Sequence, residues 1–261
     1  MVLKISSIQL SALKEAAVEQ FVRDTTHSLD REFGDLDALF APQAIQSTIR
    51  YGIARSGHYG IFGKADVYSY IRLMFTLLGS DFDIDPLYPW ASEILSDSYH
   101  PANDRMVRLE LRAQSFLDSI SEREPCYFVQ VAKAIRHNPF SSLPRAIAPP
   151  AIEEHAVMVI DSYFPGKTAC IGIDAVRQSV ASSCGGARMF DIRDGGNVAA
   201  FALFAFLFGV QFYDDPKYPE VKEIFRDSSA LESRKIAAML AVARNYLTRK
   251  LAILRAKQET V

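Results

Sequence analysis

An acidic segment carries the side chains best suited to metal binding or acid–base chemistry. Asp81, Asp83 and Asp85 alternate within the sequence Asp-Phe-Asp-Ile-Asp-Pro. Hard cations such as calcium take several such oxygen ligands from a looped segment. However, the glycine and the closing glutamate of a calcium loop are missing, and an aspartate in such a turn commonly accepts a hydrogen bond from its own backbone. A structural turn is therefore favoured, and a metal-dependent enzyme that uses the Asp85 region is kept as an alternative.

Two short patterns match catalytic signatures only in part. Pro165-Gly-Lys-Thr168 ends like a phosphate-binding loop, but Asp161 stands where that loop needs its first glycine. A loop after a helix is the better interpretation. Ser11-Ala-Leu-Lys14 fits a serine–lysine pair, but the partner motifs of that pair are absent from the sequence, so a solvated helical turn is predicted.

The three cysteines, Cys126, Cys170 and Cys184, are odd in number and include no CxxC pair. This pattern favours buried free thiols in a reducing compartment. Cys184 would act as a nucleophile only beside an activating base. The residue 131 positions earlier is the apolar Ile53, which favours a packed thiol. We therefore predict no catalytic, metal-binding or cofactor-binding residue, and a protein that is not an enzyme.

The chain contains a long internal repeat. Residues 79–98 and 209–228 are identical at ten of 20 positions, where average composition gives about one or two matches. Downstream the register continues at an offset of 130, and upstream it continues at an offset of 131, as in Ile61 and Ile192. The sequence therefore predicts a tandem duplication of a helical module of about 130 residues, packed as a pseudo-symmetric pair.

The repeat divides the chain into three predicted parts. Residues 1–122 form the first helical module, residues 123–150 form a helical and proline-rich connector, and residues 151–261 form a degenerate second copy. Strand signals are confined to Val2–Ile5 and Ala169–Ile173, so the predicted fold class is all-α.

Helical periodicity and capping signals locate the main elements. Ser6-x-x-Gln9 resembles a capping box before a helix in which Leu10 and Leu13 recur at helical spacing. Gly79 suits a left-handed C-terminal cap, and Ser229-x-x-Glu232 is predicted to open a long final helix. Other helices are predicted over residues 41–55, 65–78, 106–120 and 127–137.

The block Phe-x-x-Asp-Pro-x-Tyr-Pro, present in both copies, is interpreted as architecture. Two prolines restrict the backbone, and the aromatic rings are expected to pack against neighbouring helices. Since Tyr213 stands at the position of Asp83 in the second copy, we expect removal of the Asp83 carboxylate to cost little. The residues of this structural motif are Phe82, Asp85, Pro86, Tyr88 and Pro89, then Phe212, Asp215, Pro216, Tyr218 and Pro219.

One helix of the second copy is too apolar for an exposed surface. Residues 198–210 are apolar at nearly every position, whereas residues 67–80 of the first copy keep a polar side. Because a surface helix needs only one apolar stripe, the second helix must be covered by the other module, by a second subunit in a homodimer, or by a protein client. The candidate partner-binding residues are Trp90, Phe201, Phe204, Phe206 and Phe208.

The composition is that of a globular protein, with 29 basic and 31 acidic residues mixed along the chain. A basic stripe typical of nucleic-acid binding is not evident. The most apolar stretch, residues 198–212, is shorter than the roughly 20 residues of a spanning helix, and no signal peptide is evident. We therefore expect no nucleic-acid partner, no membrane span and a cytoplasmic location.

The pattern Tyr51-Gly-Ile…Tyr59-Gly-Ile…Gly79-x-Asp-Phe-Asp-x-Asp-Pro-x-Tyr-Pro-Trp90 resembles small helical proteins of bacteria. These are encoded beside type VI secretion spike proteins, adaptor chaperones and toxic effectors. The resemblance covers about residues 5–120, and residues 79–90 are its most specific segment. Trp90 becomes Glu220 in the second copy, so a surface built from Trp90 exists once.

This resemblance implies a non-catalytic accessory that helps to load or hold a secreted effector, acting as a co-chaperone or adaptor in the bacterial cytoplasm. Its partner would be a protein client: the effector, its adaptor or a toxin. An immunity protein that neutralises a co-encoded toxin is the closest alternative. In that case an exposed Asp81 and Asp83 would plug a basic active site.

Overall fold

The computed structural model describes residues 6–76, 79–123, 126–137, 139–140, 143 and 148–259. Within these ranges every regular element is a helix and no strand occurs, so the all-α prediction is confirmed. The helices are α1 (Ser7–Phe33), α2 (Leu36–Leu39), α3 (Pro42–His58), α4 (Lys64–Met74), α5 (Pro89–Ser96), α6 (Ala102–Arg123), α7 (Tyr127–His137), α8 (Pro149–Tyr163), α9 (Pro165–Ile171), α10 (Ile173–Met189), α11 (Gly195–Phe208), α12 (Pro219–Arg226) and α13 (Glu232–Glu259).

Helix α1 begins at the predicted capping box. The Gln9 N–H donates to Ser6 Oγ at 3.2 Å, and the Ser6 N–H donates to Gln9 Oε1 at 2.9 Å. Only the later turns of α1 reach the core, where Val22 and Leu29 are buried. The earlier turns, including the predicted apolar positions 10 and 13, are exposed. The apolar stripe therefore runs beyond the part of the helix that the rest of the chain covers.

Several helices recur with the spacing of the sequence repeat. Helices α3 and α10 each contain 17 residues, and they begin at positions 42 and 173, which are 131 apart. Helices α5 and α12 each contain eight residues, and they begin at positions 89 and 219, which are 130 apart. Helices α6 and α13 also begin 130 positions apart, at 102 and 232.

Helix contacts follow the same correspondence. Helix α3 packs on α4 as α10 packs on α11, and α5 packs on α6 as α12 packs on α13. Two further helix contacts join the earlier half of the chain (α1 to α6) to the later half (α8 to α13): α6 packs on α9, and α13 packs on α2. Helix α7 packs on α13 and α8, with Tyr127 and Val131 buried. The helix predicted within the connector thus contributes to the core of the later half.

Helix α11 is enclosed by helices of its own half. It packs against α8, α10 and α13, and 12 of its 14 residues are buried. Helix α4 instead directs Tyr68 and Arg72 to Glu32 of α1, through hydrogen bonds of 2.8 and 3.1 Å. Helix α8 of the same half therefore supplies the cover that the apolar sequence of α11 requires. The cover expected from the sequence was the other module, a second subunit or a client, and α8 is none of these.

Two local predictions around α9 are wrong. Residues 165–168, expected as a loop, lie in helix α9, and residues 169–173, expected as a strand signal, end α9 and begin α10. The long final helix predicted to open at Ser229-x-x-Glu232 is confirmed, because α13 begins at Glu232. The Glu232 side chain accepts hydrogen bonds from the Arg193 and Asp194 N–H groups at 3.1 and 3.0 Å. Residues 2–5 lie outside the described part of the chain.

The length and hydrophobicity of each helix bear on the membrane prediction. In the described ranges, no helix combines enough length with enough apolar character to cross a membrane. Helix α11, the most apolar one, has only 14 residues.

Glycine is required where the two halves meet at Gly79. This residue has φ +81°, the left-handed conformation that was predicted, and Gly209 has φ +103°. The prediction that Gly79 caps the helix before it is wrong, because α4 ends at Met74 and its C-cap is Phe75. Side chains are disfavoured in the left-handed region because Cβ approaches the following carbonyl oxygen. A Cβ at Gly79 would also lie 2.9 Å from the Phe208 carbonyl oxygen of the other half. Backbone conformation and close approach therefore both exclude a side chain.

We expect Gly79→Ala to lower the free energy of unfolding by about 2–4 kcal/mol, because it adds a steric conflict to backbone strain. Gly34→Ala is the matched control, since Gly34 has φ +68° but no atom lies within 4 Å of a Cβ there. Strain alone should cost this control about 1 kcal/mol. Urea denaturation measures both, and equal losses would contradict the close approach of the two halves.

Candidate functional site

Asp85 and Asp215 join the two halves of the chain. Asp85 Oδ1 accepts a hydrogen bond from the N–H two residues further on at 2.9 Å, as predicted for its turn. Its Oδ2 accepts from the Val210 N–H of the other half at 3.0 Å. Asp215 makes a bond of 2.9 Å in its own turn, and it accepts from the N–H and hydroxyl of Ser80 at 3.3 and 2.8 Å. Each aspartate thus binds the turn of the opposite half. We call Asp85, Asp215 and their partners in the opposite half, Val210 and Ser80, the junction.

Asp81 and Asp83 are buried beside the junction, under α3. The Tyr51 hydroxyl donates a hydrogen bond to Asp81. Asp83 accepts from the Arg55 guanidinium and, at 2.8 Å, from the Tyr59 hydroxyl. The two carboxylates therefore do not form an exposed acidic surface, because α3 supplies a donor to each. The expectation that the Asp83 carboxylate is dispensable is also unsupported, since Arg55 pairs with it.

Two carboxyl groups of this region take up protons in mildly acidic solution. Burial raises the pKa of Asp81 to about 6, and the negative charges of Asp215 and Asp83 add to that effect. Burial likewise raises the pKa of Asp85 to about 6, although two backbone hydrogen bonds and the positive charge of Lys167 oppose the rise. The cause in both cases is that a carboxylate loses hydration on burial.

Two buried lysines bind the ends of helices near the junction. Lys217 Nζ donates to the Met74 carbonyl at the end of α4 at 2.6 Å, and Lys167 Nζ donates to the Phe206 carbonyl near the end of α11 at 2.7 Å. A cation is favoured at a helix C-terminus, where the helix dipole is negative. Lys217 Nζ also lies 3.6 Å from an Asp215 oxygen. Lys167, the lysine of the segment that resembles a phosphate-binding loop, thus binds the end of a helix.

The remaining residues considered for chemistry are the cysteines and the pair Ser11 and Lys14. Cys184 is buried in α10, and burial raises the pKa of its thiol to about 12, which is the opposite of what a thiolate nucleophile needs. Cys126 is exposed, so the prediction of buried cysteines is wrong there. Ser11 and Lys14 are exposed on α1, as predicted for a solvated turn. Among the described residues, no three His, Cys, Asp or Glu side chains are placed to hold a metal ion.

The candidate partner-binding residues have different environments. Phe201, Phe204 and Phe206 are buried in α11, so the prediction that they bind a partner is wrong, because α8, α10 and α13 enclose them. Phe208 is partly buried beside the rings of α12 and α13. Trp90 is also partly buried, at the start of α5.

The side chains of the first turns of α1 form an accessible feature that the sequence did not predict. Every residue from Ser6 to Ala17 is exposed. Ile8, Leu10 and Leu13 have exposed fractions of 80, 47 and 58 %. The apolar periodicity of α1 was visible in the sequence. Which of its turns are covered depends on how α1 packs on α3, and no local pattern predicts that contact.

A cleft of about 240 Å³ lies between α2, α12 and α13. It opens where α13 packs on α2, a contact between helices of opposite halves. Its walls come from sequence segments about 180 and 200 positions apart, so periodicity alone holds no signal for it. The aromatic side chains Phe40, Tyr218 and Tyr246 line it.

Comparison of the chain with protein-family models, with curated proteins and with solved structures gave no match. The geometry of the carboxylates, of the exposed turns of α1 and of the cleft is therefore the basis for the functional argument.

We expect Asp83→Ala to lower the free energy of unfolding by about 2–4 kcal/mol. The change removes the counterion of the partly buried Arg55, and an unpaired charge in such a site is costly. Asp97→Ala is the control, because Asp97 pairs with Arg108 at 2.8 Å on the surface, where ion pairs contribute little. Urea denaturation compares them, and an Asp83 variant as stable as the Asp97 variant would contradict a structural role for the Arg55 pair.

The raised pKa values of Asp81 and Asp85, about 6 against an ordinary 3.8, predict a pH dependence of stability. The folded state binds more protons than the unfolded state between these values, so stability should rise as the pH falls from 7 towards 4. Below that range it should fall, because the Arg108 guanidinium holds the pKa of Asp97 down at about 2.

Thermal unfolding at pH 5 and 7.5 measures this effect. Asp81→Asn keeps an acceptor for the Tyr51 hydroxyl but carries no charge, so we expect it to be more stable than the native chain at pH 7.5 and less sensitive to pH. A native chain that melts at a lower temperature at pH 5 than at pH 7.5 would refute the assignment.

Proposed function

We propose that this chain is a non-catalytic protein-binding accessory, a co-chaperone or adaptor that helps to load a type VI secretion effector in the bacterial cytoplasm. The observation that carries the protein-binding part is the apolar stripe on the exposed turns of α1. Leu10 and Leu13 lie on this stripe, and Ala17 continues it towards the core. The secretion context rests on the resemblance of about residues 5–120, most specifically residues 79–90, to proteins encoded beside such effectors.

The length of the exposed segment supports a binding role. Residues 6–17 form about three helical turns outside the core, and an isolated helix of this length is only marginally stable in water. Packing of its apolar face into a groove of another protein is a common mode of recognition. The capping box at Ser6 and Gln9 favours a helix that is already formed before the partner arrives, which reduces the entropy lost on binding.

We further propose that residues 1–122 and 151–261 are tandem copies of one helical module, packed as a pseudo-symmetric pair. The support is the repeated helix lengths, the contacts of α6 with α9 and of α13 with α2, and the reciprocal bonds of Asp85 and Asp215. Helix α8 begins at a position that corresponds to residue 18 of the first copy, so α8 has no counterpart of residues 6–17.

The alternatives are less well supported. An immunity protein would need accessible acidic groups, but Asp81 and Asp83 are buried and bonded to residues of α3. A metal-dependent enzyme based on Asp85 would need free carboxylate oxygens, but both oxygens of Asp85 accept backbone hydrogen bonds. Neither function could use these carboxylates without breaking contacts that hold the chain together.

The test is capture of the co-encoded effector or its adaptor by the tagged full-length chain in its native host, quantified by mass spectrometry. We expect the double variant Leu10→Asp, Leu13→Asp to reduce this capture at least about tenfold, since a hydrophobic contact would have to bury two charges. The matched control is Ser11→Asp, Ala12→Asp, which adds the same charge to other sides of the same exposed turns.

Circular dichroism should show equal helix content and melting for both double variants. The proposal fails if the native chain captures no effector or adaptor, or if the two double variants capture equally. Loss of self-association alone in the Leu10, Leu13 variant, with effector capture intact, would assign the stripe to a homodimer and contradict a client site there.

A further inference from the structure

The cleft between α2, α12 and α13 has an aromatic floor. The Phe40 ring lies between two tyrosine rings, with centroids 6.1 Å from Tyr218 and 5.7 Å from Tyr246. Phe40 and Tyr218 are buried, and Tyr246 is partly buried. A concave site of about 240 Å³ with a few polar groups at its edge has the form of a binding pocket for one ring system rather than for a large ligand.

The earlier half shows what occupies the corresponding position. Positions 130 before Tyr218 and Tyr246 hold Tyr88 and Phe116, and the Trp90 ring lies 6.1 Å from each of these rings. The Arg112 guanidinium lies over the Trp90 ring at 5.3 Å. The chain itself therefore places an indole on this pair of aromatic rings and a cation on the indole.

The later half lacks both of these groups. Glu220 stands 130 positions after Trp90, and Val242 stands 130 positions after Arg112. Glu220 and Val242 both line the cleft. The space that an indole would fill is thus bordered by a carboxylate and a small apolar side chain, which leaves the aromatic floor in contact with the cleft.

The charges at the cleft select a ligand. Asp37 and Glu220 are exposed carboxylates at its edge. Of the basic residues that line it, Lys217 pairs with Asp215 and donates to the Met74 carbonyl of α4, so its charge is compensated inside the chain. Among the described residues of the lining, Arg249, which donates to the Ala38 carbonyl at 3.4 Å, is then the one uncompensated cation against two carboxylates. A ligand that brings a positive charge beside its ring would meet these carboxylates, as Arg112 meets Trp90 in the earlier half.

We propose that this cleft binds a tryptophan or similar aromatic side chain of a partner protein, next to a lysine or arginine in the partner sequence. The inference rests on the proposed protein-binding function and names a second contact for it, separate from the stripe on α1. The ring would stack on Tyr218 and Tyr246, and the basic residue would pair with Asp37 or Glu220.

The experiment measures binding of three short peptides to the full chain by nuclear magnetic resonance. The probes are acetyl-Gly-Lys-Trp-Lys-Gly-amide, the same peptide with glutamates for lysines, and the same peptide with alanine for tryptophan. We expect the lysine–tryptophan peptide to bind at least about tenfold more tightly than either of the others, and to shift the ring resonances of Tyr218 and Tyr246. Equal binding of all three peptides would overturn the proposal.

Two variants locate the site. Glu220→Trp should fill the cleft from within the chain, abolish peptide binding and raise the melting temperature, whereas Glu223→Trp, an exposed position on the same helix, should do none of these. The pair Asp37→Asn, Glu220→Gln leaves the cleft open and should remove the preference for lysine over glutamate. Unchanged binding in Glu220→Trp, or an unchanged preference in the amide pair, would contradict the site.

The outcomes separate this inference from the proposed function. If Glu220→Trp and Glu223→Trp capture the effector or adaptor equally well, and the native chain binds no peptide, the cleft proposal is wrong while the protein-binding function stands. If the native chain captures no effector or adaptor, the proposed function fails. If free tryptophanamide binds as tightly as the lysine–tryptophan peptide, the ligand is a small aromatic amine and the assignment to a partner protein is overturned.

Discussion

The structure depends on two buried carboxylates that each bind the backbone of the opposite half. Asp85 accepts from Val210 and Asp215 accepts from Ser80, so the two turns can only be satisfied together. A buried carboxylate without donors would be very costly, and here backbone N–H groups supply them. The glycines at 79 and 209 permit the backbone conformation that brings these N–H groups into range. The junction is thus a mutual constraint, and separation of the halves would leave both carboxylates without one set of donors.

Around this constraint the two halves differ in how they are covered. Helix α11 can be apolar on all sides because α8 lies against it, whereas α4 keeps Arg72 in a surface network with Glu32 and Glu110. The α5 start carries Trp90, and the α12 start carries Glu220. The two helix starts therefore differ: Trp90 packs on the Tyr88 and Phe116 rings in the earlier half, whereas Glu220 borders the cleft in the later half.

Much of the helical architecture follows from local sequence signals. The capping box at Ser6, the left-handed Gly79 and the turn bond of Asp85 were predicted because each depends on residues within a few positions. The burial of α11 was predicted because an apolar helix must be covered, but the covering element was not, since α8 is about 50 positions away. The partners of Asp81 and Asp83 lie 24–30 positions earlier on α3, and no local pattern connects them.

The same distances explain why the acidic segment invites a catalytic interpretation that its geometry does not favour. A catalytic carboxylate must exchange its proton with a substrate, or bind a metal, while the surrounding structure stays in place. At the junction, binding of a metal or a substrate to Asp85 would compete with the hydrogen bond to Val210, and the opposite turn would lose its acceptor. Chemistry there would be coupled to opening of the chain. Under the proposed function, the exposed turns of α1 and the cleft beside α13 would bind partners without this cost, because neither includes the carboxylates of the junction.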